Sequence, residues 1–199
     1  MARASGQVDE AKTEAILDAA LALFAEKGVL ASMEAIARKA GVSRQTLYNR
    51  FPSKIDIGRA LAARRAAALT EPLRTGGEPK AVLAGYAEGL LHKMRGDTGP
   101  DALRGVALMS PTAPELAEAV YRAGPAEGLR RLSAWLAEQD RAGHLSVPDP
   151  DAAAEMYVGM VLGHGHLRTI LNIAHPPFDL EARAVETAER FLRAFSPEG

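Results

Sequence analysis

Between Ser43 and Phe51 the chain carries Arg44, Gln45, Thr46, Tyr48, Asn49 and Arg50, six side chains rich in hydrogen-bonding groups, with no carboxylate among them. Such a set suits the edges of base pairs. Gln and Asn pair with adenine, Arg with guanine, and Thr or Tyr with a phosphate or a thymine methyl. Helical geometry decides whether these groups share a face. At ~100° per residue, with Leu47 at zero, Phe51 lies at about 40° and the inward direction near 20°. Gln45 and Asn49 then fall close to the opposite pole, with Thr46 and Tyr48 on the flanks. Arg44 and Arg50 lie nearer the sides and are long enough to reach outward.

The surrounding residues have the layout of a helix-turn-helix over 32–51. Ser32 can cap a short helix from Met33 to Ala40, with Glu34 near its positive end, and Ser43 can cap a second running to about Arg50. Ala37 sits where the two helices cross, and Gly41 occupies the turn, where positive φ is easiest for glycine. Ile36, Val42, Leu47 and Phe51 supply the buried wedge. Ahead of them, a helix from about Asp9 or Glu10 to Lys27 carries the apolar stripe Ile16, Leu17, Ala20, Leu21, Leu23 and Phe24, with Gly28 as its stop. Pro52 and Ser53 open a longer helix, Lys54 to about Leu69.

Composition narrows the classes. The formal net charge of −1 divides into +4 over residues 1–65 and −5 over the remainder, so the short half suits a polyanion and the long half does not. Zero cysteines exclude disulfides, thiolate metal sites and cysteine nucleophiles, and fit a reducing cytoplasm. No run approaches the ~20 apolar residues that a bilayer span needs. The first residues lead into Asp9-Glu10 without an apolar block, which argues against a signal peptide.

The run from Thr13 through Lys54 resembles the N-terminal domain of the TetR (tetracycline repressor) family of regulators. The resemblance is carried by Ile16, Ala19-Ala20, Leu23-Phe24, Gly28, Ile36-Ala37, Ala40-Gly41-Val42-Ser43, Thr46-Leu47-Tyr48, Phe51 and Ser53-Lys54, in the family's order and spacing. It covers about a quarter of the chain; the rest is similar only in helix layout. The resemblance implies an all-α protein, with a three-helix DNA-binding domain over 1–54 and a helical ligand-binding and dimerisation domain over 55–199. It implies that Arg44, Gln45, Thr46, Tyr48, Asn49 and Arg50 lie in or beside a major groove, that Lys54 holds a phosphate, and that Ser32 and Thr13 add backbone contacts. Glu34 departs from the pattern, because a carboxylate there is repelled by DNA; it is expected to face solvent. The expected partners are double-stranded operator DNA, a small-molecule effector and a second copy of the chain in a homodimer, with no membrane and no cofactor.

Proline and glycine divide the larger half into helices at about 80–94, 101–109, from Pro114 to near Gly124, 126–141, 151–173 and 180–195. The last two are the natural dimer seam. The first of these has Gly159 and Gly163 four apart, which either admit close helix contact or kink the helix. The final helix offers Val185, Ala188, Phe191, Leu192 and Phe195. By family analogy an effector cavity draws on Tyr86, Leu90, Met94, Leu108, Met109, Tyr121, Trp135 and Met156, with His92, His164 or His166 as polar handles. His164 and His166, two apart, point about 200° apart on a helix and are poorly placed to share one ion, so no metal is expected.

Two other readings stand beside a ligand-responsive repressor: a DNA-binding protein of this fold controlled by a protein partner, and a helical enzyme or ligand carrier with an incidental helix-turn-helix. No Ser-His-Asp order, paired-carboxylate motif or phosphate-binding glycine loop is visible, so no catalytic residue is expected.

Overall fold

The computed structural model describes residues 3–95, 104–108 and 110–197, and among them every regular element is helical. The elements are α1 (Arg3–Lys27), α2 (Met33–Lys39), α3 (Arg44–Arg50), α4 (Lys54–Leu69), α5 (Glu71–Thr75), α6 (Pro79–Arg95), α7 (Pro114–Tyr121), α8 (Glu127–Arg141), α9 (Pro150–Leu162), α10 (Gly165–Ile170) and α11 (Leu180–Ala194). Residues 104–108 are also helical. The chain divides into two compact units, Met1–Arg64 with Asp101–Ala123, and Arg65–Pro100 with Gly124–Gly199.

In the first unit the stripe on α1 becomes the core. Ile16, Leu17, Ala20 and Leu23 pack with Ile36, Ala37, Leu47, Phe51, Ile57 and Leu61. Polar contacts pin α4 to α1: Arg64 donates to Glu14 and Asp18 at 2.6 and 2.9 Å. Gly58 of α4 lies under α7, since a Cβ there would come within 2.8 Å of Leu116 Cδ1 and 3.3 Å of Val120 Cγ2.

The second unit is centred on α6, which buries Val82, Leu83, Tyr86, Ala87, Leu90, Leu91 and Met94. Leu132, Trp135 and Leu136 of α8, Ala153, Tyr157 and Val161 of α9, and Ala184, Ala188 and Phe191 of α11 close over it. Tyr157 donates its hydroxyl to the Leu83 carbonyl at 2.7 Å and meets the Phe191 ring edge-on, with centroids 4.9 Å apart. Burial without a charged partner pushes the Tyr86 phenol up to about 12.

Three differences from the expected helices have physical causes. The first helix begins six residues or so earlier, at Arg3, and runs through Ser5 and Gly6, which cost a helix about 1 kcal/mol or less each and do not stop it. The proline-containing stretch after Leu69 holds the short α5, with Pro72 in its first turn, a position where the missing N–H costs nothing. The expected helix 151–173 is two pieces, because Gly163 adopts φ +47° and ends α9. Of the glycine pair, Gly163 breaks the helix, while Gly159 stays within α9 and is exposed. Of the final helix, Ala188 and Phe191 are spent in the unit's own core.

Candidate nucleic-acid interface

The interface is built from the turn outward. The Ser32 hydroxyl caps α2 by accepting from Ala35 N–H at 3.1 Å. Gly41, at φ +66°, lets the chain reverse. Its N–H donates to Arg38 O at 3.3 Å, and Val42 N–H donates to Ala37 O at 3.1 Å, the paired bonds of a Schellman stop. Ser43 restarts the helix by accepting from Thr46 N–H at 3.0 Å. The Ser43 and Thr46 hydroxyls also bond each other at 2.8 Å.

This anchoring fixes the rotation of α3. Leu47 is fully buried and Phe51 nearly so. Gln45 and Asn49 are exposed, as is Tyr48 at 41%, and the side chains on that face carry no negative charge. The period-3.6 argument therefore assigns the two faces of α3 as the structure shows them. Thr46, expected on the flank, is half-buried and engaged with the Ser43 cap.

The two arginines differ from the simple picture of free donors. Arg50 donates to the Thr13 hydroxyl at 2.9 Å and pairs with Asp9, and its side chain is only 18% exposed. Thr13 in turn donates to Asp9 O at 3.1 Å. Arg50 thus clamps the end of α3 to α1, and Thr13 serves that clamp. Arg44 is exposed and pairs with Glu34 of α2. Glu34, expected to stand in solvent, keeps its side chain 43% exposed while pairing with Arg44. Its own backbone N–H and then the Arg44 guanidinium hold its carboxyl below the ordinary range. Sequence spacing gave no sign of either pair, since the partners are ten and 41 residues apart.

Ser53 and Asp56 bracket the start of α4: the Asp56 carboxylate accepts from Ser53 N–H at 3.1 Å and from the Ser53 hydroxyl at 2.7 Å. Lys54, half-buried, sits in this first turn.

Of the residues expected around an effector, four share one core. Tyr86, Leu90, Met94 and Trp135 are together in the core of the second unit. Leu108 and Tyr121 belong to the first unit and are exposed, Met156 is on the surface of α9, and Met109 lies outside the described residues. His92, His164 and His166 are exposed. Among the described residues no three His, Asp or Glu side chains gather as metal ligands. None of these helices is long and apolar enough to cross a membrane.

Two short capped helices, a glycine turn and a carboxylate-free outer face on the second helix define a helix-turn-helix DNA-binding regulator. The description "Bacterial regulatory proteins, tetR family" matches residues 16–61, and that of the C-terminal domain of AefR-like transcriptional repressors matches residues 81–197. The chain belongs to the tetR family of bacterial regulatory proteins.

Similar proteins agree. The flavonoid-responsive regulator FrrA is 31% identical, with 94% of this chain and 98% of that one covered and a TM-score of 0.69. A TetR transcriptional regulator from Agrobacterium tumefaciens shares the fold, with 24% identity, 94% and 95% of the chains covered and a TM-score of 0.74. The HTH-type transcriptional regulator SrpR of Pseudomonas putida is 41% identical over 66 residues, which is 33% of this chain and 31% of that protein. The chain thus spans less than half the length of the curated relatives it matches.

Proposed function

We propose that the protein is a homodimeric repressor that reads operator DNA with α3 and is released by a small molecule held in its second unit. The rotation of α3 carries the reading: Leu47 and Phe51 are buried, while Gln45, Tyr48 and Asn49 face outward. In this reading Gln45 and Asn49 read base edges, Tyr48 and Thr46 line the groove wall, and Lys54 and Ser32 meet phosphate. Arg44 reaches bases, and Arg50 lies beside the backbone while holding α3 to α1. The protein acts as a regulator rather than an enzyme, in the cytoplasm, where the DNA is.

An exposed apolar stripe supports the dimer. Met156, Gly159 and Met160 follow one another at helical spacing on α9 and are all exposed, and Leu167 and Ile170 of α10, with Leu171 just after it, are exposed apolar residues too. A Cβ on Gly159 would meet nothing within 4 Å, so the stripe has room for a second backbone to approach. Two copies would bring two α3 helices to half-sites about one DNA turn apart, ~34–36 Å, or a multiple of it. An effector that altered this distance would weaken binding. The apolar cluster that holds Tyr86, Leu90, Met94 and Trp135 favours an effector with a large apolar body. The name of FrrA, a flavonoid-responsive relative, is in keeping with that class.

Titration of the full-length protein against the DNA upstream of its own gene, at fixed salt, tests the proposal. Specific binding is expected at least ~10³-fold tighter than binding to random duplex. Equal affinity for both would end it.

A further inference from the structure

Arg44 is the first residue of α3, and in a helix-turn-helix the N-terminal residues of the second helix reach the base edges. It is an awkward place for a cation. The backbone N–H groups there make the helix start positive, and α3 has no acidic residue in its first turn to offset them. The missing negative charge comes from α2. Glu34 accepts a hydrogen bond from Arg44 Nη2, and its carboxylate is kept ionised by its own N–H and by this guanidinium.

The pair is not explained by stability or by attraction to DNA. The two side chains are 69% and 43% exposed, and an ion pair so open to water contributes little to folding. A carboxylate on the surface that approaches phosphates weakens binding to every sequence alike. What the pair does supply is geometry. A guanidinium has five N–H donors in a rigid plane, so one donor held by Glu34 fixes the plane and leaves others directed outward.

We propose that Glu34 is a positioning residue for sequence recognition, holding Arg44 so that its remaining donors read one guanine in each half-site. This rests on α3 being the DNA-reading helix. The Glu34–Arg44 pair thereby trades general affinity for discrimination: the carboxylate repels the backbone, and the oriented guanidinium donates well only to a base that offers O6 and N7 together.

The test uses full-length protein to select sites from a randomised duplex library. Binding of the selected duplex and its single-base-pair variants is then followed by fluorescence anisotropy. Arg44→Ala is expected to abolish the guanine preference at one position of each half-site, identifying it. Glu34→Gln is expected to lower the preference at that same position by about fivefold or more. In the Arg44→Ala background, Glu34→Gln leaves base preference unchanged. Glu34→Asp, which keeps the charge but shortens the reach, lowers the preference as Gln does. Unchanged circular dichroism shows that the variants are folded, as expected with the Ser32 cap intact.

Uniformly tighter binding of Glu34→Gln to every duplex, with the guanine preference kept, overturns the proposal and leaves Glu34 as a source of repulsion only. An Arg44→Ala variant with unaltered base preference overturns it too. If the wild-type protein selects no site, the DNA-reading role of α3 fails and this inference fails with it; if it selects one and Glu34→Gln changes nothing, only the inference fails.

Discussion

Arg50, the last residue of α3, donates to the Thr13 hydroxyl of α1 at 2.9 Å while its other terminal nitrogen pairs with Asp9. The helix is thus tied to the domain at its far end, and its near end is fixed by the Ser43 cap. A guanidinium can span both partners because its donors are spread in a fork; an ammonium has a single point of charge. Arg50→Ala is therefore expected to cost about 1 kcal/mol, which lowers the melting temperature by ~2–4 °C in a chain of this size. Arg50→Lys should recover less than half of that. Thermal melts of the two variants check it, and equal melting of Lys and Arg proteins would show that charge alone matters.

Burial and exposure on α3 separate stability from recognition. Leu47→Ala removes a fully buried side chain and should cost ~2–5 kcal/mol, with DNA binding lost through the fold. Asn49→Ala changes an exposed position, so stability should move by no more than ~0.5 kcal/mol. Its specific DNA affinity should nonetheless fall by about tenfold or more. Denaturant titration paired with anisotropy distinguishes the two. An Asn49→Ala protein that binds its operator as tightly as wild type would remove Asn49 from the reading surface.

The rotation of α3 was legible in the sequence because it depends only on local rules: a 3.6-residue period, two serine caps and one glycine. The same holds for the start of α4 at Ser53, which accepts from Asp56 N–H; α11 is set off by the prolines ahead of it, and its Asp179 cap is seen only in the structure. What was not legible depends on tertiary approach. Arg44 with Glu34 and Arg50 with Asp9 meet only after the chain has folded. The break at Gly163 depends on a positive φ that a helical apolar pattern does not reveal. The grouping of Tyr86 with Trp135 in one core, and the membership of Leu108 and Tyr121 in the other unit, follow from which unit each helix joins.

Gly41 offers a test of the turn in which packing has no part. Its φ is +66°, and a Cβ at this residue would meet nothing within 4 Å, so any cost of Gly41→Ala is conformational. Holding an L residue with a Cβ in the left-handed region costs ~1–2 kcal/mol. Asn tolerates this region better, so Gly41→Asn should lie between glycine and alanine. Urea unfolding gives the ranking, and a neutral alanine would mean that the turn relaxes to another shape.

Acid should loosen the second unit through Glu127. Arg130 donates to its carboxylate at 2.7 and 2.8 Å and Arg131 at 2.6 Å, and these bonds hold its pKa down to about 2. Arg131 also donates to Thr70 at 2.9 Å, so the network joins α8 to the end of α4. A carboxyl whose pKa is lowered by folding stabilises the fold above its ordinary pKa of 4.5, and the benefit fades as pH falls towards 2. The melting temperature of wild type should drop across that window, and Glu127→Gln should show a shallower drop from a lower plateau. Coincident curves would mean that the network contributes nothing to stability.

The proposed dimer, seated on the exposed stripe of α9, should come apart without unfolding either copy. Met156 is 58% exposed and Met160 42%, one turn apart, and neither belongs to the buried core of its own unit. Glutamates at both positions would face water in a single chain, where they cost little. In a two-fold interface each would meet apolar surface or its own symmetry mate, and burying such a charge unpaired is strongly unfavourable. Met156→Glu with Met160→Glu should therefore give a folded monomer by sedimentation velocity, with circular dichroism like wild type. Operator affinity should collapse towards the non-specific level, because one recognition helix is left to do the work of two. A variant that stays dimeric would move the interface off this stripe, and a monomer that still binds its operator at full strength would separate DNA recognition from dimerisation.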